Sequence, residues 1–139
     1  MLGVQRVEWT EVHKYGIVSS SEESSSLCRV DTLVEKPSRE EAPTNLATLG
    51  RYVIEPQVFD ILERTGPGTG GEIQLTDALN ELAKTRPVWA CTFNGKRYDV
   101  GDKQGFLEAT IEYALRRDDL AEAFAAYLKR LVKEDPRLK

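Results

Sequence analysis

A strand-like run that stops just before a proline strongly limits the folds open to this chain. The run LATLGRYVI contains β-branched and aromatic residues, and the segment PQVFDILERT begins two residues later at Pro56. Proline is favoured at the first position of a helix, and Val58, Ile61 and Leu62 then recur at the spacing of one helical face. The sequence therefore predicts a strand followed directly by an amphipathic helix.

Similar runs elsewhere predict more strands and another helix. LGVQRV carries β-branched residues without a turn signal, a short strand follows a turn at Gly16, and LCRVDTLVEK is expected to form one strand that Pro37 ends. LTDALNELAK predicts a helix capped by Thr76 or Asp77. The dipeptide NG between VWACTF and KRYDV predicts a β-hairpin.

Two segments of low complexity predict loops. Residues 19–26, SSSEESSS, cannot build a core and are expected to form a solvated hairpin tip. Residues 66–71, GPGTGG, match the letters G-x-G-x-x-G, but that dinucleotide fingerprint requires a strand before it and a helix immediately after it. A predicted helix precedes this run and Pro67 lies within it, so a loop is the better interpretation.

The carboxyl-terminal part predicts two amphipathic helices, within residues 102–117 and 119–134. Each carries one apolar stripe, made of Phe106, Leu107, Ile111, Ala114 and Leu115 in the first and of Leu120, Phe124, Tyr127, Leu128 and Leu131 in the second. Asp119, with Glu122 three residues later, resembles a capping box. Two such helices either cover a sheet or pair with another subunit.

The composition is that of an ordinary globular protein, and 139 residues predict one domain or a piece of a larger one. Nineteen basic and twenty-three acidic residues leave a net charge of −4, which argues against nucleic-acid or membrane binding. The first residues predict no signal peptide, and no apolar run approaches the roughly 20 residues of a membrane helix. Cys28 and Cys91 are expected to be reduced, with Cys91 buried in a strand, which favours the cytoplasm.

Charged residues at two predicted strand ends are candidate binding groups. Glu35 and Lys36 are adjacent where a strand stops before Pro37. A carboxylate is suited to accept hydrogen bonds from sugar hydroxyls and an ammonium to meet a phosphate, and the alternative is a solvated strand end. Asp99 is suited to hold Mg²⁺ together with phosphate, whereas Asp102 is better explained as a helix cap.

Five blocks occur in order along the chain: YGIV, LVEKP, NLATLGRYV, GEIQLTDAL and GKRYDVGDKQGFLEATIEYALRR. Together they resemble the carboxyl-terminal half of the bacterial UTP–glucose-1-phosphate uridylyltransferases, a family of sugar-phosphate nucleotidyltransferases. The resemblance implies an α/β fold, part of a Rossmann-like nucleotidyltransferase mixed sheet with carboxyl-terminal helices. It implies that residues 1–101 are the sugar-phosphate-binding part of that domain, truncated at its amino end. Residues 102–139 are then a carboxyl-terminal helical segment with an expected role in oligomerisation.

The resemblance also implies roles for single residues. Glu35 would hold the glucose hydroxyls, Lys36 would approach the phosphate of glucose 1-phosphate, and Gly16 would bring its backbone close to the sugar. Asp99 matches a metal-binding aspartate, so Mg²⁺ is the implied cofactor. Three polar residues of the GEIQLTDAL block are expected to serve mainly the structure: Glu72, Thr76 and Asp77.

The implied reaction is attack by a phosphate oxygen of glucose 1-phosphate on the α-phosphorus of UTP, which forms UDP-glucose and releases pyrophosphate. Positioning and charge neutralisation carry such chemistry, so we expect no protein nucleophile or general base. The family's amino-terminal half carries a G-x-G-T-R-x-x-P loop for the triphosphate, the residues that read uracil and a first metal-binding aspartate. None of these occurs in the sequence, so we expect the 139 residues alone to lack turnover and to bind sugar phosphate weakly.

Three alternatives stay open. The chain is a non-catalytic oligomerisation or interaction module, the same half of a related enzyme with another base or sugar, or a small glycosidase that uses Glu35 and Asp99. Missing central strands are expected to leave an exposed sheet edge, which is a template for pairing with another chain. The expected partners are therefore sugar phosphate, UTP or UDP-glucose and a second copy of the chain.

Overall fold

A mixed six-stranded sheet dominates the first part of the chain. The computed structural model describes residues 1–22 and 26–138, with Thr69 described by its backbone alone. The strands are β1 Leu2–Arg6, β2 Gly16–Ser19, β3 Leu27–Arg29, β4 Thr32–Glu35, β5 Leu46–Tyr52 and β6 Trp89–Thr92. The helices are α1 Gln57–Leu62, α2 Leu75–Thr85, α3 Lys103–Leu115 and α4 Ala121–Glu134, and short 3-10 turns lie at Val12–Lys14, Thr69–Gly71 and Pro136–Leu138.

The chain divides into two units, residues 1–94 and residues 95–139. The first unit contains the whole sheet with α1 and α2, and the second contains α3 and α4. The second unit begins at Gly95, earlier than the helical segment predicted from residue 102, and it includes Asp99. The predicted α/β class, with a mixed sheet and carboxyl-terminal helices, is confirmed.

The two ends of the sheet lie close together. The strand order is β3-β6-β1-β5-β2-β4, with β1 and β6 parallel and the other neighbours antiparallel. Only Val30 and Asp31 join β3 to β4. Five strand spacings in a flat sheet would separate these ends by about 24 Å, whereas two linking residues reach only about 10 Å. The sheet therefore curls, and the N–H groups of Val30 and Asp31 donate to the carbonyls of Val88 and Ser19 at 2.8 and 2.9 Å.

Apolar residues of the sheet, α1 and α2 form the main core of the first unit. In α1, Val58 and Ile61 are buried and Leu62 is partly buried against the core, as the spacing predicts. Burial of one such side chain contributes about 2 kcal/mol, which fixes the helices on the sheet. The strands and α2 supply the remaining large buried residues: Leu2, Val4, Val18, Leu33, Leu46, Leu79 and Leu82.

The single strand predicted for LCRVDTLVEK is wrong, because this segment forms β3 and β4. β3 pairs with β6 while β4 pairs with β2, so the backbone must turn between two different partners. Burial alternates at Cys28 and Val30 and then slips by one residue to Leu33. That slip in the two-residue period marks the break between the strands.

The β-hairpin predicted at Asn94-Gly95 does not form. β6 is present, but its two edges already pair with β1 and β3. A strand has two hydrogen-bonding edges, so the KRYDV segment has no place beside β6. Residues 96–100 accordingly form no strand.

The first two helices begin differently from the predicted caps. Pro56 is the N-cap residue of α1 and not its first helical residue. The N-cap residue of α2 is Gln74, with no side-chain capping bond, so neither Thr76 nor Asp77 caps this helix. Thr76 uses its hydroxyl elsewhere, in the site described below.

In the second unit, one predicted cap is confirmed and one is wrong. The Asp102 carboxylate accepts a hydrogen bond from the Gly105 N–H at 3.0 Å and caps α3. α4 begins after Leu120 without a side-chain cap. Asp119 instead pairs with Arg117, at 2.7 Å between carboxylate oxygen and guanidinium nitrogen.

The apolar stripe of α3 is largely exposed. Phe106 and Leu107 are 55% and 60% exposed, while Ala109 is the buried residue of this helix. Among the described side chains of α4, none is buried. These two helices therefore present much more apolar surface than α1 and α2 do.

Two smaller predictions can be compared directly with the structure. Cys28 and Cys91 are free thiols, but Cys28 is the buried one and Cys91 is only partly buried, so the predicted burial of Cys91 is wrong. Residues 66–71 form a loop with a 3-10 turn, as predicted. The centre of the predicted loop at 19–26 lies outside the described residues.

Across residues 1–22 and 26–138, none of the helices is long and apolar enough to cross a membrane.

Candidate functional site

Strands β2 and β4 bring Gly16 and Glu35 side by side. Gly16 is the first residue of β2, Glu35 is the last residue of β4, and the two are directly opposite in the antiparallel register. One step further, the Lys36 N–H donates to the Tyr15 carbonyl at 3.0 Å. Three residues that the sequence singles out therefore lie close together at these two strand ends: Gly16, Glu35 and Lys36.

Lys36 has a left-handed backbone conformation, with φ at 46°. This is uncommon for a residue with a side chain, and Pro37 further favours an extended conformation at the residue before it. In an extended strand Glu35 and Lys36 would point to opposite faces. Here Lys36 Nζ lies 4.0 Å from Glu35 Oε1, so both charged groups lie on one side. Backbone strain of this kind costs about 1–3 kcal/mol and clusters at functional sites.

The Glu35 carboxylate is largely enclosed. The Glu35 side chain is 15% exposed, whereas that of Lys36 is 51% exposed. Glu35 Oε2 accepts a hydrogen bond from the Thr76 hydroxyl at 2.5 Å, and Thr76 is a buried residue at the start of α2. The two carboxylate oxygens thus face different groups, the Thr76 hydroxyl at Oε2 and the Lys36 ammonium at Oε1.

Gly16 leaves a small space that is surrounded by oxygen atoms. A Cβ atom at this position would lie 3.0 Å from Thr48 Oγ1, 3.1 Å from Glu35 Oε2 and 3.3 Å from Thr76 Oγ1. The Thr48 hydroxyl also donates to the Gly16 carbonyl at 3.2 Å. Any side chain at residue 16 would press on the enclosed carboxylate, and glycine lets another group approach the backbone closely.

Helix α2 is tied to β4 at a second point. The Asn80 side-chain amide donates to the Leu33 carbonyl at 2.6 Å, and its oxygen accepts from the Leu33 N–H at 2.7 Å. Asn80 therefore occupies both backbone groups of Leu33, on the outer edge of an edge strand. The edge of β4 is therefore covered at this residue.

This arrangement suits a ligand that carries both hydroxyls and a phosphate. An ionised carboxylate only accepts hydrogen bonds, and a lysine ammonium only donates them. A half-exposed ammonium beside an enclosed carboxylate can meet an anionic group while the carboxylate binds hydroxyl hydrogens. The residues around Glu35 and Lys36 thus offer separate places for the two parts of a sugar phosphate.

Asp99 lies in the second unit, in the segment before α3. Its Oδ1 accepts from the Gly101 N–H at 3.2 Å, and its Oδ2 accepts from the Arg97 guanidinium at 2.9 Å. The Asp99 carbonyl accepts from the Asp102 N–H at 3.1 Å. A Cβ atom on Gly105 would overlap that same carbonyl oxygen, so glycine at 105 allows α3 to approach the Asp99 backbone.

The chemistry of Asp99 fits one ligand of a magnesium ion. Mg²⁺ is usually held by one or two carboxylates together with substrate phosphates and water. Within residues 1–22 and 26–138, no group of three or more acidic, histidine or cysteine side chains gathers around a common point. Asp99 therefore fits the role of one carboxylate ligand, alongside phosphate and water.

An ionic network surrounds the Asp99 segment. Glu112 of α3 accepts hydrogen bonds from the Lys96 ammonium and the Tyr98 hydroxyl, and Arg116 lies 3.5 Å from the same carboxylate. The bonds from Lys96 and then Tyr98 lower the pKa of Glu112. The same carboxylate raises the pKa of Lys96 and of Tyr98, in each case mainly through its hydrogen bond.

Sequence reasoning missed three residues that build the site of the first unit. Thr76 and Asn80 lie four residues apart on α2, and Thr48 lies within β5. Thr76 belongs to the block GEIQLTDAL and was expected to act in capping. The available signal is the spacing, because residues i and i+4 share one helical face, and polar residues on an otherwise buried face require partners.

Comparison with known sequences gives consistent matches. A family described as Nucleotidyl transferase matches residues 2–116. The UTP–glucose-1-phosphate uridylyltransferase of Staphylococcus epidermidis is 44% identical over 131 residues, which cover 94% of this chain and 46% of that protein. The UTP–glucose-1-phosphate uridylyltransferase 1 of Staphylococcus saprophyticus is 47% identical over 133 residues, which cover 96% of this chain and 46% of that protein.

Solved structures give the same result. A UDP-glucose pyrophosphorylase complexed with UDP-glucose aligns with a TM-score of 0.79 and 41% identity, covering 84% of this chain and 44% of that one. A UTP-bound UGPase from Acinetobacter baumannii aligns with a TM-score of 0.76 and 34% identity, covering 96% of this chain and 44% of that one. The chain thus spans about half the length of the curated relatives it matches. Since the family match covers most of the 139 residues, the chain belongs to the nucleotidyl transferase family.

Proposed function

We propose that this chain is the glucose 1-phosphate-binding part of a UTP–glucose-1-phosphate uridylyltransferase that acts in cytoplasmic UDP-glucose supply. The observation that carries the proposal is the enclosed Glu35 carboxylate, held between Gly16 and Thr76 and adjacent to the Lys36 ammonium. The names of the relatives add the substrate class. In the complete reaction, a phosphate oxygen of glucose 1-phosphate attacks the α-phosphorus of UTP, and pyrophosphate leaves with the bonding electron pair.

Three residues have distinct roles in this proposal. Glu35 accepts hydrogen bonds from glucose hydroxyls, which orients the sugar ring. Lys36 attracts the phosphate, because its ammonium is half exposed and reaches solvent. Gly16 admits the sugar close to the backbone, since any Cβ would crowd the carboxylate. The reaction then needs positioning and charge neutralisation and no protein nucleophile.

Asp99 is proposed as a carboxylate ligand of Mg²⁺. A bound magnesium ion neutralises phosphate charge during transfer. The Arg97 guanidinium holds one Asp99 oxygen and the Gly101 N–H meets the other, so Asp99 is kept in a defined orientation by its neighbours. The 139 residues do not include a triphosphate-binding G-x-G-T-R-x-x-P loop, and we expect no turnover from them alone.

Calorimetric titration of glucose 1-phosphate into the 139-residue chain, with Mg²⁺ present, tests the proposal. We expect weak but saturable binding that Lys36→Ala and Glu35→Gln both reduce at least tenfold, as loss of a charge-assisted contact predicts. Lys84→Ala is the matched control, because Lys84 is an exposed lysine of α2 that pairs with Glu81 of the same helix at 2.6 Å. Equal affinities in all four proteins would contradict the assignment of the site.

Titrations with galactose 1-phosphate and mannose 1-phosphate distinguish this proposal from a related enzyme with another sugar. Glucose 1-phosphate should bind most tightly, because galactose inverts the 4-hydroxyl and mannose the 2-hydroxyl of the sugar ring that the site is proposed to recognise. A clear preference for one of the other two sugars would favour the related enzyme. Hydrolysis of an aryl glucoside by the chain would favour the glycosidase alternative.

The second unit favours an additional role in self-association. Phe106 and Leu107 of α3 are more than half exposed, and Val132 of α4 is 55% exposed. We propose that a second copy of the chain covers this apolar surface. Light scattering should show a dimer or larger assembly that Phe106→Gln with Leu107→Gln converts to a monomer. A wild-type monomer across a wide concentration range would refute this part of the proposal.

A further inference from the structure

The hydroxyl of Thr76, the second residue of α2, bonds to a distant residue and not to its own helix. Thr85 of α2 and Thr110 of α3 donate to carbonyls of their own helices, at 3.3 and 2.8 Å, which is the common local bond of helical threonine. Thr76 instead donates to Glu35, 41 residues away in the chain. Its hydroxyl therefore serves a contact between α2 and β4.

The spacing of two contacts explains how Thr76 is held in place. Thr76 and Asn80 are four residues apart on α2, and they bond to Glu35 and Leu33, which are two residues apart on β4. Four helical residues rise by about 6 Å, and two strand residues rise by about 6.6 Å. The two polar residues of the helix thus match two positions of the strand, and Asn80 fixes the register in which Thr76 meets Glu35.

The same bond determines which carboxylate oxygen is available to a ligand. Oε2 is turned toward the Thr76 hydroxyl and the space beside Gly16, while Oε1 faces the Lys36 side, with Nζ at 4.0 Å. A glutamate side chain has several rotatable bonds and loses up to about 2 kcal/mol of rotamer freedom when fixed. A buried, stiff hydroxyl donor supplies this fixation before any ligand arrives.

We infer that Thr76 is a positioning residue, which holds the Glu35 carboxylate in the orientation that binds sugar hydroxyls. The inference rests on the proposed function and deepens it, because it names the residue on which recognition of the sugar depends. Thr76 touches no substrate in this scheme. Its effect is confined to the sugar part of the ligand, since the phosphate is met by Lys36.

The test compares Thr76→Val, Thr76→Ser and the control Thr85→Val in the 139-residue chain. Valine keeps the shape of threonine and removes the hydroxyl, serine keeps the hydroxyl, and Thr85 is a threonine at the other end of the same helix. NMR titrations measure the affinity for glucose 1-phosphate and, separately, for inorganic phosphate. Scalar couplings of the Glu35 side chain measure whether it occupies one rotamer or several.

Thr76→Val should weaken glucose 1-phosphate binding about tenfold, the amount expected for a hydrogen bond to a charged group, and leave phosphate binding unchanged. Its Glu35 couplings should become averaged, and Thr76→Ser and Thr85→Val should behave like the wild type. Equal losses for both ligands would overturn the inference, because a general structural defect would then explain them. Wild-type couplings for Glu35 in Thr76→Val would overturn it as well.

The proposed function can fail separately. If the wild-type chain binds no glucose 1-phosphate, the proposed function is refuted at that step. The Glu35 couplings, which need no ligand, then decide whether Thr76 orients the carboxylate. A single rotamer in the wild type that is lost in Thr76→Val and restored by Thr76→Ser supports the positioning role.

Discussion

Glu35 in the first unit and Asp99 in the second are both carboxylates with proposed ligand-binding roles, but they are held in opposite ways. Glu35 depends on Thr76, 41 residues away, and on the strand pairing with Gly16. Asp99 is held by Arg97 and by the Gly101 N–H, each two residues away. The first carboxylate is oriented only after β2, β4 and α2 have assembled, whereas these two contacts of the second lie within one local turn.

Gly105→Ala should disturb the local turn that holds Asp99, and we expect it to cause the largest loss of stability. A methyl group there would overlap the Asp99 carbonyl oxygen, and relieving such an overlap against backbone costs about 2–3 kcal/mol. We expect a lower unfolding midpoint and faster hydrogen exchange in residues 99–106, with the amides of β2 and β4 unaffected.

Gly66→Ala is the control, because Gly66 has open space around it and no left-handed backbone. Equal stability of Gly105→Ala and Gly66→Ala would show that the Asp99 turn tolerates the displacement. That result would weaken the idea of a closely fitted turn in the second unit.

Asn80→Ala should weaken the long-range contact between α2 and β4. We expect it to lower the free energy of unfolding by about 1–2 kcal/mol, less than Gly105→Ala does. The substitution leaves the Leu33 N–H and carbonyl without their protein partner, and an unmet partly buried polar group costs about 1–3 kcal/mol before water compensates. Chemical denaturation monitored by the fluorescence of the two tryptophans, Trp9 and Trp89, measures the loss.

The neighbouring substitution Glu81→Ala is the control, since Glu81 is exposed and its ion pair is with Lys84 of the same helix. We also expect Asn80→Ala to loosen Glu35, because Asn80 fixes the register of α2 on β4. If Glu35 stays ordered in this variant, the Asn80–Leu33 contact is not needed for the Thr76–Glu35 contact, and Thr76 orients the carboxylate without Asn80.

Glu112→Gln should give the smallest effect and one that depends on pH. Hydrogen bonds from Lys96 and Tyr98 lower the pKa of Glu112, so its contribution to stability is present above the unfolded pKa of about 4.3 and is lost as the pH falls below it. The pKa values of Lys96 and Tyr98 are raised, so their contribution is present below pH about 10 and is lost as the pH rises further.

Thermal unfolding of wild type and Glu112→Gln between pH 3 and 11 therefore provides the measurement. The two proteins should differ most in the neutral range and converge at both extremes. A difference that is constant across the whole range would mean that the charge of Glu112 contributes nothing to the second unit.

The local parts of the molecule could be predicted from the sequence, and the long-range parts could not. The periodicity of Val58, Ile61 and Leu62 is encoded in five residues, and the Asp102 cap of α3 in four, so both agree with the structure. The bond between Thr76 and Glu35 requires that α2 pack beside β4, which no local pattern specifies. For the same reason, the hairpin that Asn94-Gly95 predicts does not form. Both edges of β6 are paired with distant strands, β1 and β3, which no local pattern specifies.

The short connection at Val30 and Asp31 has a consequence for how the first unit opens. These two residues pair with Val88 on one side and Ser19 on the other. They therefore connect β3 and β4, the strands at the two ends of the sheet order, to each other. Neither β3 nor β4 can separate from the sheet alone, because movement of either strand also displaces the other through this short connection. The two short edge strands, which would fray independently in an open sheet, should therefore exchange their amide hydrogens in a single cooperative event.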